Sequence, residues 1–153
     1  TLKTAGYEHY EISNFCLPGK HSRHNSSYWI GKKYLGCGAS AHSYNGISRQ
    51  WDIASLEKYM TGIENRQPDY EIEELDLYTR YNDFVITSLR TQWGMSLTKL
   101  KTDFGEKLYD YCIQLATPHL QQHTLQQANG LLKFTEQGIF ISDGIMSDLL
   151  WVE

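Results

Sequence analysis

Cysteine and proline are scarce in this sequence, and no long apolar stretch occurs in it. Three cysteines and three prolines are present among 153 residues. The separations between Cys16, Cys37 and Cys112 fit neither a disulfide framework nor a close-spaced zinc or iron–sulfur motif, so we predict three buried, reduced thiols. The uncharged apolar runs fall far short of the ~20 residues of a membrane-spanning helix, and no membrane span is predicted.

The N-terminal stretch TLKTAGYEHY begins without Met and lacks the basic, apolar and small-residue pattern of a secretory signal. With 41% hydrophobic and 21% charged residues, the composition is that of a globular protein rather than a disordered one. These features predict a cytoplasmic, globular chain that is a piece of a longer protein.

Charge is divided unevenly along the chain. Residues 1–50 hold six Lys and Arg against two Glu, whereas the remainder holds eight against sixteen acidic residues. This asymmetry either indicates an anionic ligand for the basic first part or reflects only solvated lysines.

The first part of the chain shows short elements. Residues 7–15 are rich in aromatic and β-favouring types and predict one strand that stops before Pro18-Gly19. Residues 25–30 predict a short helical turn that places His24 and Tyr28 on one face and Asn25 and Trp29 on the next. Residues 34–44 predict a strand broken by glycines. A helical pattern starts at Asp52, and Pro68-Asp69 predicts a linker.

Helical patterns dominate the second part. Tyr78, Tyr81, Val85 and Leu89 share one stripe of a helix predicted over 75–90. Ser96 is expected to cap a second helix that leaves through a left-handed Gly105. A third helix follows around Leu108–Leu115, and Thr117-Pro118 predicts a fresh helix start.

Asn129-Gly130 stands between two short apolar runs, the strongest local signal for a β-hairpin. Thr135 is expected to cap a closing helix that buries Ile139, Ile145, Met146 and Leu149. Three helices, a hairpin and a last helix predict a winged-helix-like module in an α+β chain. Residues 94–133 hold only four lysines against three acidic residues, so we predict no nucleic-acid binding, although a winged-helix nucleic-acid-binding module stays an alternative.

Two stretches carry chemistry. HNSSYW, residues 24–29, offers an imidazole, an amide, a phenol and an indole that could ligate a metal and stack on a flat ligand. GCGASAHS, residues 36–43, has small residues that allow close backbone approach to a ligand, or only a tight bend in a strand.

YEISNFCLPG, RHNSSYW and YLGCGASAHSY, in that order and at short separations, resemble the radical-SAM haem chaperone family, HemW, among the proteins called oxygen-independent coproporphyrinogen III oxidase-like. The resemblance continues through SLRTQWGMSLTKLKTDFG and LLKFTEQG. It therefore spans nearly the whole chain.

The resemblance implies a parent protein whose N-terminal partial TIM-type barrel holds a [4Fe-4S] cluster and S-adenosylmethionine. The cluster ligands are absent from this chain. Residues 1–69 then correspond to the C-terminal end of the barrel region with a connecting helix, and residues 70–153 to the winged-helix-like accessory domain. As a fragment without its barrel half, the chain is expected to be catalytically inert and to self-associate.

The family's haem-binding motif falls on His24, Asn25, Tyr28 and Trp29, with His24 as the expected iron ligand. The Gly-rich stretch places Gly36, Gly38, Ala41 and Ser43 near the cofactor. The expected cations for the haem propionates are Arg23, Lys32 and Lys33. The function implied is haem binding and transfer to acceptor proteins, and the alternative is the coproporphyrinogen III oxidase reaction of porphyrin biosynthesis.

Overall fold

The computed structural model describes residues 2–152, and it shows a mixed helix-and-sheet chain, as the α+β prediction requires. In chain order the elements are β1 (Glu8–Glu11), β2 (Asn14–Cys16), α1 (Arg23–Trp29), β3 (His42–Tyr44), β4 (Ser48–Asp52), α2 (Leu56–Glu64), β5 (Tyr70–Glu74), α3 (Leu77–Leu89), β6 (Met95–Ser96), α4 (Leu97–Gln121), β7 (Leu125–Ala128), β8 (Leu131–Phe134), α5 (Glu136–Ile139) and α6 (Ser142–Leu149).

The chain divides into two compact units. The first unit takes in the described residues of Thr1–Ile30 and Leu77–Glu153, and the second is Gly31–Asp76. This division differs from the sequential boundary expected near residue 69. The reason is that β1 pairs with the segment after α3: the Ile12 N–H donates to the Arg90 carbonyl (3.0 Å), and the Gln92 N–H donates to the Tyr10 carbonyl (3.0 Å).

The core of the first unit is built on α3. Tyr81, Val85 and Leu89 are at most 1% exposed, which confirms the predicted stripe, and Tyr78 packs at its edge. The other buried side chains come from β6, α4, the β7–β8 hairpin and α6, and they include Met95, Leu100, Leu108, Cys112, Leu125, Leu132, Ile145 and Leu149. This continuous apolar cluster holds the helices and the small sheet of the unit together.

The single strand predicted over residues 7–15 is wrong, because β1 and β2 form an antiparallel hairpin with a turn at Ile12 and Ser13. The Glu11 carboxylate stabilises the turn by accepting from the Ser13 N–H (3.1 Å) and from the Asn14 amide. A side chain that bonds to the backbone two residues ahead favours a turn over an extended strand.

The predicted helical turn after His24 is confirmed and is longer than expected. Ser22 caps α1 by accepting from the Asn25 N–H (3.2 Å), and the helix ends where Gly31 adopts a left-handed φ of 67°. This cap starts the helix at Arg23 and so sets which side chains share a face.

Three of the four predictions about the α4 segment are confirmed, because the third helix expected around Leu108–Leu115 is the part of α4 that follows Gly105. Ser96 caps the helix by accepting from the Lys99 N–H (3.2 Å), and Gly105 is left-handed with φ 82°, which kinks the element. The fresh start at Thr117-Pro118 is wrong, because α4 continues to Gln121. The Thr117 hydroxyl donates to the Ile113 carbonyl (2.8 Å), so the threonine lies within helical backbone instead of capping a new helix.

The β7–β8 hairpin turns at Asn129 and Gly130, both left-handed, as predicted. Together with β6 it forms a three-stranded sheet of order β6-β8-β7. Thr135 caps α5 through the Gly138 N–H (3.1 Å), as expected, but a turn at Phe140 and Ile141 splits the predicted closing helix into α5 and α6. Ile145, Met146 and Leu149 are buried as predicted, while Ile139 is only partly buried.

The second unit is a three-stranded sheet of order β3-β4-β5 with the helix α2. The helix predicted from Asp52 begins at Leu56, capped by Ser55, and Asp52 instead ends β4. The expected linker at Pro68-Asp69 leads directly into β5. Among residues 31–76 only Ser48 and Leu75 are buried, so this unit has very little core of its own.

No helix within residues 2–152 is long and apolar enough to cross a membrane.

The cysteines differ in burial. Cys16 and Cys112 are buried as predicted, whereas Cys37 is exposed and the prediction is wrong for it. Burial raises the pKa of the Cys112 thiol, against the opposing hydrogen bond from Tyr81, and burial also raises the pKa of Tyr81. Both groups are therefore held neutral in the folded state.

Stability is expected to fall with rising pH in the alkaline range. Because burial raises the folded-state pKa values of Cys112 and Tyr81, their contribution to stability is complete below the unfolded thiol pKa of about 8.5 and is lost progressively as pH rises above it. Urea unfolding at pH 7.5, 9 and 10.5 measures this slope. Cys112→Ala should reduce the slope, by up to about 1.4 kcal/mol per pH unit, whereas Cys37→Ala should not; equal slopes in the two variants would contradict the assignment.

Candidate functional site

Helix α1 presents the histidine and the tyrosine of HNSSYW on one exposed face, as predicted from their spacing. The His24 Nε2 and Tyr28 Oη atoms lie 3.1 Å apart, and the two rings meet edge to face at 5.0 Å. The phenol thereby fixes the orientation of the imidazole. An exposed, oriented imidazole on a capped helix is suited to ligate a metal.

Trp29 lies on the neighbouring face of α1 and is half-buried. The Arg90 guanidinium lies 5.0 Å from the centroid of its ring, and Arg90 in turn pairs with Glu11 through its Nη2 (2.8 Å) and Nε (2.9 Å) atoms. The Glu11 side chain is fully buried. A buried ion pair therefore supports the indole from one side.

Two polar atoms on the buried side of α1 are unsatisfied. Trp29 Nε1 and Ser26 Oγ are both buried, and neither has a hydrogen-bond partner within residues 2–152. Burying a polar group without a hydrogen bond costs about 1–3 kcal/mol of folding free energy. Such unsatisfied groups therefore mark places where a ligand or water is expected to bind.

An open groove of about 450 Å³ runs beside α1 and is lined by His21, Arg23, Ser26, Ile30 and Trp93. Its volume is in the range of small-molecule sites. Ile30 and Trp93 give the groove an apolar surface, and the exposed Arg23 adds a guanidinium to it. The groove can therefore accept a flat, apolar ligand that carries an anionic group.

No sequence pattern indicated a role in the site for Trp93, Ser26 or Arg90. Trp93 precedes Gly94 in the turn after α3, and it meets His21 edge to face at 5.7 Å. Since this contact joins residues that are distant in sequence, only the fold reveals it. The sequence itself offered one signal, an isolated aromatic residue, Trp93, beside Gly94.

The remaining predicted site residues are placed differently. Arg23 lies on α1 and lines the groove, and Asn25 is half-buried on the same helix. Lys32 and Lys33 are exposed residues of the second unit. Their predicted pairing with propionates stays a prediction.

The Gly-rich stretch lies in the second unit. The Gly36 N–H donates to Ser43 Oγ (3.0 Å) and the Gly38 N–H donates to Tyr59 Oη (3.0 Å), so both amides are already engaged within the unit. A Cβ at Gly36 would lie 2.3 Å from the His42 carbonyl oxygen, and Gly38 has a left-handed φ of 122°. Packing and backbone conformation thus account for both glycines, and the cofactor role predicted for Gly36, Gly38, Ala41 and Ser43 stays a prediction.

Comparison with known proteins agrees with the motifs. Residues 75–141 match the family model of the HemN C-terminal domain. Over 150 residues the chain is 29% identical to the heme chaperone HemW of Mycobacterium tuberculosis, which covers 97% of this chain and 36% of the relative. The predicted resemblance to the HemW family is confirmed. The HemW of Lactococcus lactis is likewise 29% identical over 152 residues, with 97% of this chain and 39% of the relative covered.

The chain thus spans less than half the length of these HemW relatives. A bovine relative, radical S-adenosyl methionine domain-containing protein 1, mitochondrial, is 32% identical over 110 residues, with 62% of this chain and 24% of the relative covered. Among solved structures, coproporphyrinogen III oxidase (HemN) from Escherichia coli, described as a radical SAM enzyme, matches with a TM-score of 0.71. That match covers 97% of this chain and 38% of the HemN chain at 16% identity, and it shows a shared fold.

Proposed function

We propose that this chain binds haem as the C-terminal part of a radical-SAM, HemW-like protein that passes haem to acceptor proteins. The observation that carries the proposal is the geometry of α1. An exposed His24 oriented by Tyr28 stands on the same short helix as Trp29, whose buried indole N–H has no hydrogen-bond partner among the described residues. The heme chaperones similar to this chain supply the ligand class.

The donor set of the first unit suits haem. Iron takes an imidazole nitrogen as an axial ligand, and His24 is accessible for this role. The macrocycle needs apolar and aromatic walls, which Trp93 and Ile30 offer in the groove beside α1. Arg23 is placed to pair with a propionate, since a guanidinium binds carboxylates through two hydrogen bonds.

Among residues 2–152 we identify no set of cysteines suited to an iron–sulfur cluster. Such clusters are held by several thiolates converging at one place. The three cysteines are 21 and 75 residues apart in sequence, and Cys112 is buried in the apolar core of the first unit. The [4Fe-4S] cluster and S-adenosylmethionine of the parent protein are therefore assigned to its other part, and the reaction of the parent is not carried by residues of this chain.

Exposed apolar side chains support a larger parent. In the second unit Leu35, Ile47, Leu56, Met60, Ile63 and Ile72 are each at least half exposed. We assign this surface to contact with the N-terminal barrel half of the parent. In this assignment residues 1–69 form the end of the barrel region, and residues 70–153 form a winged-helix-like accessory domain. When that half is absent, the same surface favours self-association. The parent is assigned to the cytoplasm.

Haem titration tests the proposal. Adding haem to the 153-residue chain is expected to shift the Soret band and to saturate at one haem per chain. The same titration is repeated on the full-length parent, because its barrel half is expected to add contacts to the haem that the 153-residue chain lacks. A Soret band unchanged from free haem in both proteins would refute haem binding.

A second assay separates chaperone from oxidase. The full-length parent, reconstituted anaerobically with its cluster, is expected to leave coproporphyrinogen III unconverted while it transfers haem to an apo-protein acceptor. Formation of protoporphyrinogen would favour the oxidase alternative instead. A gel shift with duplex DNA is expected to show no complex, because the region expected to bind it is nearly neutral.

A further inference from the structure

Three potential metal ligands converge beside the β1–β2 hairpin. Glu8 on β1 and Cys16 on β2 are cross-strand partners, and His21 follows in the segment that leads into α1. One ligand atom from each of the three side chains lies within 4.8 Å of the other two. Of the residues that the structure describes, these three form the one such group.

The spacing is close to that of a tetrahedral site. Glu8 Oε2 and His21 Nε2 are 3.1 Å apart. Oxygen and nitrogen ligands at about 2.0–2.1 Å from a tetrahedral zinc ion are roughly 3.3 Å apart. The carboxylate and the imidazole therefore need almost no movement to share one cation, and Cys16 Sγ, within 4.8 Å of both ligand atoms, is the third ligand.

The surroundings hold the ligands in place and leave one side open. The His21 ring meets Tyr10 edge to face at 5.0 Å and Trp93 at 5.7 Å, which restricts its rotation. Cys16 is 8% exposed, whereas the His21 and Glu8 side chains are 29% and 39% exposed. The Gln92 Nε2 atom lies 3.2 Å from His21 Nε2 and is a hydrogen-bond donor rather than a ligand, so a water molecule on the open side would complete four ligands.

We propose that Glu8, Cys16 and His21 bind one thiophilic divalent transition-metal ion, of which Zn²⁺ is the representative. A thiolate, an imidazole and a carboxylate match the ligands that zinc prefers, and the mixed set excludes Ca²⁺ and Mg²⁺, which prefer oxygen. Binding releases the Cys16 proton to solvent and involves no redox change. The ion would link the hairpin to the start of α1 and so fix the approach to the groove.

Cobalt titration of the reduced, metal-free 153-residue chain tests this site. Co²⁺ replaces Zn²⁺ in tetrahedral sites, and a thiolate ligand adds a charge-transfer band that zinc then abolishes by displacement. We expect one Co²⁺ per chain. Cys16→Ala should remove the charge-transfer band, and His21→Gln should weaken binding by at least about tenfold.

Matched controls separate this site from adventitious binding. Cys37→Ala removes an exposed thiol outside the cluster, and His123→Asn removes an exposed imidazole at a left-handed position that Asn tolerates; both variants should bind Co²⁺ normally. Far-UV circular dichroism establishes that each variant is folded. The proposal is overturned if saturating Co²⁺ gives no thiolate band, or if the band persists in Cys16→Ala.

Discussion

Replacing His24 by Ala is expected to weaken haem binding by about a hundredfold, equivalent to ~2.7 kcal/mol. The expected cause is loss of the axial nitrogen, since His24 is the exposed imidazole that α1 presents together with Trp29. Titration of the Soret band measures the affinity. The band position of the variant should also return toward that of free haem, because the iron then lacks its nitrogen ligand.

Two further variants make the His24 result specific. Ala is a favourable helix residue and His24 is exposed, so the substitution should leave the fold of α1 intact. Tyr28→Phe removes only the hydroxyl 3.1 Å from His24 Nε2 and should have a smaller effect. His123→Asn serves as the control without loss of affinity. Equal haem affinity in His24→Ala and His123→Asn would contradict the assignment of the axial ligand.

Glu11→Gln is expected to lower the free energy of unfolding by about 3 kcal/mol. The fully buried Glu11 carboxylate accepts two hydrogen bonds from Arg90, and two more from Ser13 and Asn14. The neutral amide keeps the size of the side chain but leaves the guanidinium without its counter-charge. Urea unfolding at neutral pH measures the difference.

A control and a double variant identify the cause. Glu136→Gln breaks the exposed pair with Lys3 and should change stability very little. Glu11→Gln combined with Arg90→Met should recover part of the loss, because the unpaired charge is removed as well. A loss in Glu11→Gln no greater than in Glu136→Gln would show that the buried pair is not what stabilises the β1–β2 hairpin.

Local signals explain which elements could be predicted. Helix α3, the Ser96 and Thr135 caps, the kink at Gly105 and the Asn129-Gly130 hairpin each depend on residues close in sequence. The β1–β2 turn escaped prediction because its stability depends on Glu11 being paired with Arg90, 79 residues away. Strand β5 escaped because its alternation is short, with Tyr70 and Ile72 as the apolar positions, and because three of its five residues are glutamates, a type depleted in strands.

The candidate site could be predicted only in part. The i, i+4 spacing of His24 and Tyr28 indicated a shared helical face, and the structure shows their contact. The wall formed by Trp93 and the support of Trp29 by Arg90 depend on the packing of α1 near the end of α3, which no local pattern reveals. The cluster of Glu8, Cys16 and His21 likewise depends on the hairpin that the sequence did not indicate.

The discontinuous first unit has a practical consequence for dividing the chain. The family model begins at residue 75, after β1, β2 and α1 have ended. A fragment cut at that point retains Arg90 but loses the carboxylate that pairs with it and the indole that it covers. The boundary recognised by family resemblance is therefore not a boundary of cooperative folding, and residues 75–141 expressed alone should be less stable than the same residues joined to the N-terminal hairpin and helix.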